Sequence, residues 1–190
     1  MAHRLATSRT GRAADDPASA YVYDPALEDL AASVLRTAER RGFRIVTAES
    51  CTGGALSALL TDVEGLSHVF ERGFAVYCDA AKTDCLDVDP GLLKPTGAVS
   101  AEVAEAMARG ALKRSDADLA VAITGYAGPA GPGEEAGLVH ICVLSRDGGV
   151  RRREGHFGSI GRAPTRIAAI EAALGLLQEL CDATKEKAQP

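Results

Sequence analysis

The sequence has no tryptophan, few aromatic residues of any kind, and no long run of apolar or basic residues. No stretch approaches the roughly 18 consecutive apolar residues of a membrane-spanning helix, so no membrane partner is expected. The only basic run, Arg151-Arg152-Arg153, is flanked by Asp147 and Glu154, and the formal net charge is −5. Because nucleic-acid binding needs clustered lysine and arginine, this composition argues against a nucleic-acid partner.

Cysteines are few, and their spacing does not indicate a metal site. There are five cysteines, which is an odd number, and no two of them form a C-x-x-C pair. A disulfide framework or a zinc site is therefore not expected, and we predict neither a metal nor another cofactor. Free thiols fit the reducing environment of the cytoplasm, where we expect the protein to reside.

The length of 190 residues fits one domain, which can bury about 70% of its unfolded surface without a covalent staple. We place this domain at 23–182. Residues 1–22 lack hydrophobic periodicity and are predicted to be a disordered N-terminal tail, and 183–190 are predicted to fray.

Predicted strands alternate with predicted helices until a hairpin near the end. Helices are expected from Asp24-Pro25 to Gly42, before Asp62, at 80–86, after Ser100 and at 162–180. Strands are expected at 43–48, 73–77, 118–124, 138–144 and 150–157. Turns are expected at 89–91 and 95–97. This alternation predicts a layered α/β domain whose mostly parallel sheet carries one antiparallel strand.

The stretch Thr47–Gly54 joins the first strand to the next helix and contains a hydroxyl, a thiol and two glycines. A turn of this kind presents Ser50 as a nucleophile beside unpaired backbone N–H groups, which can stabilise an oxyanion. Two alternatives remain. Ser50 or Thr52 could simply cap the helix, and Cys51 could be the nucleophile, because a helix N-terminus lowers a thiol pKa.

A base for Ser50 is predicted at the end of the second strand. Lys82 follows this strand, and the carboxyl ends of parallel strands form the usual ligand-binding edge of an α/β sheet. Partial burial would lower its pKa and free the amine to accept a proton. Tyr77, on the same strand, could relay that proton. The alternatives are a solvated surface lysine and an ordinary core tyrosine.

The segment Gly125–Gly137 is rich in glycine and proline and follows a buried strand. Its backbone N–H groups could hold a phosphate, because missing side chains allow a ligand to approach closely. It has neither a nucleotide-triphosphate loop motif nor a clear G-x-G-x-x-G, so a plain surface loop is an equal alternative.

Taken together, these motifs resemble the CinA C-terminal-domain family, whose characterised activity is nicotinamide-nucleotide amidohydrolase, or NMN deamidase. The resemblance covers roughly 25–180. The motifs that carry it are Thr47–Gly54, Gly73–Tyr77 with Lys82, Gly97–Ser100, Ala122–Pro129 and Gly137–Val139. Many relatives have a further N-terminal domain. This chain has no room for one, so it resembles the stand-alone form.

The resemblance implies a three-layer α/β/α domain with a mixed sheet, and hydrolysis of nicotinamide mononucleotide (NMN) to nicotinic acid mononucleotide and ammonia. It implies Ser50, Lys82 and Tyr77 as catalytic residues. A small-molecule nucleotide is the expected partner, and a homo-oligomer is expected. The candidate substrate-binding residues are Thr52, Gly53, Gly54, Thr124, Gly125, Gly128, Arg162 and Arg166.

The chain departs from the family at three places. Cys78 and Asp79 replace the usual Ser and Asn, Tyr126 replaces an Ile, and the Phe-x-Gly-Asp-Arg pattern is interrupted at 157–162. Asp79 is expected to raise the pKa of Lys82 and weaken it as a base. The alternative function is therefore a catalytically weakened nucleotide-binding protein, or a competence- or damage-related interaction protein, of the same fold.

Overall fold

A computed structural model describes residues 23–184 of the chain, apart from the side chains of residues 95 and 96. The predicted tail at 1–22 and most of the predicted frayed end lie outside the described residues. Within 23–184 the helices are α1 (Pro25–Arg40), α2 (Ala55–Thr61), α3 (Asp79–Leu86), α4 (Pro90–Thr96), α5 (Ala101–Lys113) and α6 (Arg162–Ala183). The strands are β1 (Ile45–Glu49), β2 (Phe70–Ala75), β3 (Leu119–Gly125), β4 (Leu138–Ser145) and β5 (Val150–His156).

The five strands form one sheet in the order β2-β1-β3-β4-β5. Strand β1 pairs in parallel with both β2 and β3, whereas β4 is antiparallel to its two neighbours. Only β4 therefore runs against the other strands, as predicted. Strands β1 and β3 are buried on both faces, which explains the nearly continuous apolar sequence of β3.

Helices cover both faces of the sheet, so the predicted three-layer α/β/α fold is confirmed. One hydrophobic cluster joins α1, α2 and α6 to the sheet, and the other joins α3, α4 and α5 to its opposite face. Ile45 and Val46 belong to different clusters, as expected for neighbours on a strand. A Cβ at Gly110 of α5 would lie 1.9 Å from the carbonyl oxygen of Leu86, so α3 packs directly against the backbone of α5.

Helix starts follow the predicted caps. Asp24 accepts a hydrogen bond from Ala26 N–H at α1, and Ser100 accepts one from Val103 N–H at α5. The turns predicted at 89–91 and 95–97 are wrong, because this segment forms α4. Asp89 caps α4 by accepting from Gly91 N–H, and Pro90 occupies the first turn, where its missing N–H costs nothing.

The second strand also differs from the prediction. It begins at Phe70 and ends at Ala75, so Tyr77 lies beyond the strand in the segment that leads into α3. Within the stretch Thr47–Gly54, the first three residues belong to β1, and Ser50–Gly54 forms the turn between β1 and α2.

Candidate active site

A cavity of about 230 Å³ opens at the carboxyl ends of β1 and β3. Parallel strands direct the residues that follow them to this edge, which is why chemistry from distant segments meets there. The cavity is lined by Ser50, Cys51, Tyr77, Lys82, Ala98, Val99, Thr124, Gly125, Tyr126, Ala127, Gly128, Pro129 and Arg162. The structure therefore brings together all three predicted catalytic residues and four of the eight predicted binding residues.

Ser50 is the first residue after β1 and is buried in the cavity wall, with 7% of its surface exposed. Its N–H donates to Ile123 O at 2.9 Å, and its carbonyl oxygen accepts from Gly53 N–H at 3.1 Å. Gly53 and Gly54 have φ values of +66° and +94°, which residues other than glycine rarely adopt. The two glycines therefore allow the chain to turn sharply and leave Ser50 at the cavity.

Glu49 lies directly before Ser50 and is fully buried. Its carboxylate accepts hydrogen bonds from three backbone N–H groups at the start of α2, those of Gly54 (3.1 Å), Leu56 (3.0 Å) and Ser57 (2.8 Å). Ser57 Oγ donates a fourth bond at 2.6 Å. Sequence reasoning missed this residue. The available signal was a carboxylate at the end of an otherwise apolar strand.

Lys82 is buried on α3, with 1% of its surface exposed. Among the described residues it forms no ion pair, although Asp79 lies one turn before it on the exposed side of the helix. Burial lowers the pKa of the Lys82 amine, and the nearby Asp79, Cys78 and Cys51 oppose that shift without reversing it. The predicted effect of Asp79 is thus present, but desolvation is larger.

Cys51 is also in the cavity wall, but its thiol is not activated. Burial raises its pKa to about 11, the opposite of the shift expected near a helix N-terminus. Helix α2 begins only at Ala55, and Glu49 occupies its first amides, so little of the helix field reaches Cys51. Because the thiolate is the reactive form of cysteine, Ser50 is the better nucleophile.

Tyr77 stands at the mouth of the cavity and is 68% exposed, so it is not a core aromatic residue. Its hydroxyl makes no hydrogen bond with any other residue in 23–184. A role in proton relay stays a prediction.

The other wall of the cavity is formed by the end of β3 and the glycine-rich segment after it. Thr124 Oγ1 donates to Ala98 O at 2.7 Å and so holds the segment before α5 against this wall. Gly125 has no room for a side chain, because a Cβ would lie 2.6 Å from Leu138 O on the adjacent β4. Tyr126 is hydrogen-bonded to Glu134, and its pKa is raised, mainly by burial.

The two candidate arginines have different surroundings. Arg162 lines the cavity and lies against Gly128, where an added Cβ would be 2.4 Å from its Nη2. It forms no ion pair or hydrogen bond with the rest of the described chain. Arg166 does not line the cavity, and its Nε donates to Cys51 O at 2.8 Å. Of these two arginines, Arg162 is therefore the one available to a ligand in the cavity.

Thr52, Gly53 and Gly54 were predicted to bind substrate through their amides, but none of the three lines the cavity. The amides of Gly53 and Gly54 are already bonded to Ser50 O and to the Glu49 carboxylate. The amide of Thr52 donates to no other described residue, and the buried Thr52 Oγ1 also has no partner there. Of the three predicted donors, only Thr52 N–H is unoccupied.

The described residues offer neither a metal-binding cluster nor a membrane-crossing helix. No group of three or more His, Cys, Asp or Glu side chains in this range is arranged to hold a metal ion. None of its helices combines the length and the apolar character needed to cross a membrane.

Comparison with known proteins identifies the family. The family model for the CinA C-terminal domain matches residues 27–181. A CinA-like protein of Akkermansia muciniphila is 46% identical over 136 residues, which are 70% of this chain and 33% of that protein. One from Chlorobaculum tepidum is 42% identical over 169 residues, covering 86% and 40% of the two chains. This chain thus spans about a third to two fifths of these curated relatives.

Solved structures of similar proteins match this chain over a larger share of their own length. The competence/damage inducible protein CihA from Agrobacterium tumefaciens superposes with a TM-score of 0.82 at 41% identity, covering 84% of this chain and 98% of that one. A competence-damaged protein (CinA) superfamily protein from Klebsiella pneumoniae gives 0.79 at 32% identity, covering 83% and 99%. The chain therefore belongs to the CinA C-terminal domain family.

Proposed function

We propose that this protein is an amidohydrolase that converts NMN to nicotinic acid mononucleotide and ammonia through an acyl-enzyme on Ser50. One observation carries the proposal: Ser50 lines the same cavity as Lys82, a buried lysine without an ion-pair partner among the described residues. A serine hydroxyl needs a base to become a nucleophile, and a buried amine with a lowered pKa can act as one near neutral pH.

In the first half of the reaction, the neutral Lys82 amine accepts the proton of Ser50 Oγ as Oγ attacks the carboxamide carbon. The tetrahedral intermediate then collapses, the C–N bond breaks, and the Lys82 ammonium returns the proton to the leaving nitrogen. Ammonia departs and leaves the nicotinoyl ester on Ser50. In the second half, Lys82 takes a proton from water, the hydroxide attacks the ester, and Ser50 regains its proton as the acid is released.

The phosphate of NMN is the group that Arg162 would bind. Its guanidinium lies at the cavity beside Gly128 and has no carboxylate partner in the described chain. A charge-assisted hydrogen bond to phosphate is stronger than a neutral one. Binding energy from this remote group would help to place the carboxamide at Ser50.

The direct experiment is to incubate the purified protein with NMN and to follow ammonia and nicotinic acid mononucleotide. Ser50→Ala is the matched control, because it removes one oxygen atom from the cavity wall. Ammonia release by the wild type but not by Ser50→Ala supports the proposal. No release by the wild type, with NMN bound, would instead favour a nucleotide-binding protein without turnover.

That second function has its own observations. Asp79 raises the pKa of Lys82 against the effect of burial, and the large Tyr126 lines the cavity. A competence- or damage-related role is named for relatives of this chain and is not needed to explain the cavity. A cytoplasmic location, a homo-oligomer and the absence of a nucleic-acid partner stay predictions.

A further inference from the structure

We infer that Glu49 and Arg166 are positioning residues that hold the Ser50–Gly54 turn from two sides and so fix the nucleophile Ser50 in the cavity wall. The inference rests on the proposed function, because it concerns the same nucleophile. Neither residue lines the cavity, so each acts through the turn and not by touching the substrate.

Glu49 holds the C-terminal half of the turn. Burial of a carboxylate is unfavourable unless hydrogen bonds replace the lost water, and here four donors do so. One of them, Gly54 N–H, belongs to the turn, and the others belong to α2. The carboxylate therefore joins the end of the turn to the first turn of the helix. It also occupies the helix amides that would otherwise attract a substrate anion.

The Glu49 carboxylate is itself fixed by a small buried network. Because a carboxylate only accepts, the hydroxyl proton of Ser57 points to Glu49. The contact of 2.6 Å between Thr47 Oγ1 and Ser57 Oγ must then use the proton of Thr47. Gly73 on β2 makes room for this pair, because a Cβ there would be 2.5 Å from Ser57 Oγ.

Arg166 holds the N-terminal half of the turn from α6. Its Nε donates to Cys51 O at 2.8 Å, and its Nη2 lies 3.4 Å from the position that a Cβ on Gly53 would occupy. Cys51 directly follows Ser50 in the turn, so this bond restrains the backbone next to the nucleophile.

The turn carries Ser50 and Cys51 in the cavity wall, whereas Thr52 does not line the cavity. Ser50 O accepts from Gly53 N–H, and the bonds of Glu49 to Gly54 and of Arg166 to Cys51 restrain the peptide units that follow. The attack of Ser50 Oγ depends on its position and orientation relative to the reacting atom. Arg166 thus acts on the nucleophile from outside the cavity, whereas Arg162 lines the cavity.

The test uses a neutral alkyl fluorophosphonate probe, so that it does not depend on NMN. Ser50 Oγ forms a bond to phosphorus, fluoride leaves, and the hydroxyl proton passes to Lys82. Mass spectrometry measures the rate of Ser50 labelling. Arg166→Met is expected to slow labelling about 10- to 100-fold, because a misplacement of the nucleophile by about 1 Å has effects of this size. Arg166→Lys, which keeps one donor, should recover part of the rate.

Glu49→Gln should also slow labelling, and it should speed hydrogen exchange at the amides of Gly54, Leu56 and Ser57. Arg36→Met, at an exposed arginine on α1, is the matched control and should label like the wild type. If Glu49→Gln does not fold, Ser57→Ala removes a single hydrogen bond to the carboxylate and should give a smaller effect in the same direction.

Labelling of Arg166→Met at the wild-type rate overturns the inference, and an accompanying rise in KM for NMN would show that Arg166 binds phosphate instead. Absence of labelling in the wild type also overturns it, because Ser50 would then not be an activated nucleophile. If the wild type is labelled but does not hydrolyse NMN, the proposed substrate is wrong, and labelling of the variants alone decides the positioning role.

Discussion

Gly128→Ala should damage phosphate recognition without touching the catalytic pair. A methyl group at this position would lie 2.4 Å from Nη2 and 3.0 Å from Cζ of Arg162, whereas ordinary van der Waals contact begins near 3.4 Å. Arg162 must therefore move by about 1 Å. The backbone is not strained by alanine, because Gly128 is not among the glycines with positive φ.

The expected loss follows from the contact that moves. A hydrogen bond to a charged group contributes about 1.5–3 kcal/mol, which corresponds to about 10- to 100-fold in kcat/KM. This loss applies to NMN, which carries the phosphate, and not to nicotinamide riboside, which lacks it. Wild type should therefore prefer NMN to the riboside, and free nicotinamide should be poorer still. In Gly128→Ala this preference should shrink, because the alanine displaces the end of the Arg162 side chain without removing the guanidinium, and in Arg162→Ala it should nearly disappear.

Initial rates of ammonia release on the three substrates measure this directly. Gly175→Ala is the matched control, because a methyl group there meets nothing within 4 Å and lies on α6. Combining Gly128→Ala with Arg162→Ala should add nothing to Arg162→Ala alone, since both changes act on one guanidinium. Equal losses on NMN and on the riboside, or a wild type that treats them alike, would refute the phosphate site.

The remaining predictions concern the catalytic residues. Ser50→Ala should abolish hydrolysis with an unchanged melting temperature, whereas Cys51→Ala should keep most activity, because burial holds the thiol pKa near 11; the reverse result would make Cys51 the nucleophile. Lys82→Met should be inactive. Wild-type kcat/KM should rise with pH as Lys82 loses its proton, through an apparent pKa below the value of about 10.4 of free lysine, because burial disfavours the ammonium. Asp79→Asn should move this rise to lower pH, since Asp79 raises the pKa of Lys82; a pH profile identical to wild type would mean that Asp79 does not influence the lysine.

The order of elements and the position of the site follow from local sequence. Conformations that depend on near neighbours can be predicted from hydrophobic periodicity, from the Asp24-Pro25 and Ser100 caps, and from the glycines of the turn. The same local reasoning failed at α4. Asp89-Pro90 is the same start signal as Asp24-Pro25, but Gly91 and Pro95 suggested turns instead. The prediction gave Gly91 and Pro95 more weight than the Asp89 cap and the proline at the first helical position, and the structure shows a helix of seven residues there.

Other properties depend on tertiary structure because they arise from burial and from contacts between distant segments. The sequence identified Ser50 and Lys82 as candidates, but only the tertiary fold buries the lysine and lowers its pKa. Arg162 and Arg166 are equivalent in sequence, one helical turn apart. Only the fold places one beside Gly128 at the cavity and bonds the other to the Cys51 carbonyl, 115 residues away. Periodicity determines which face of an element is buried, whereas charge, desolvation and long-range hydrogen bonds determine what the side chains on that face can do.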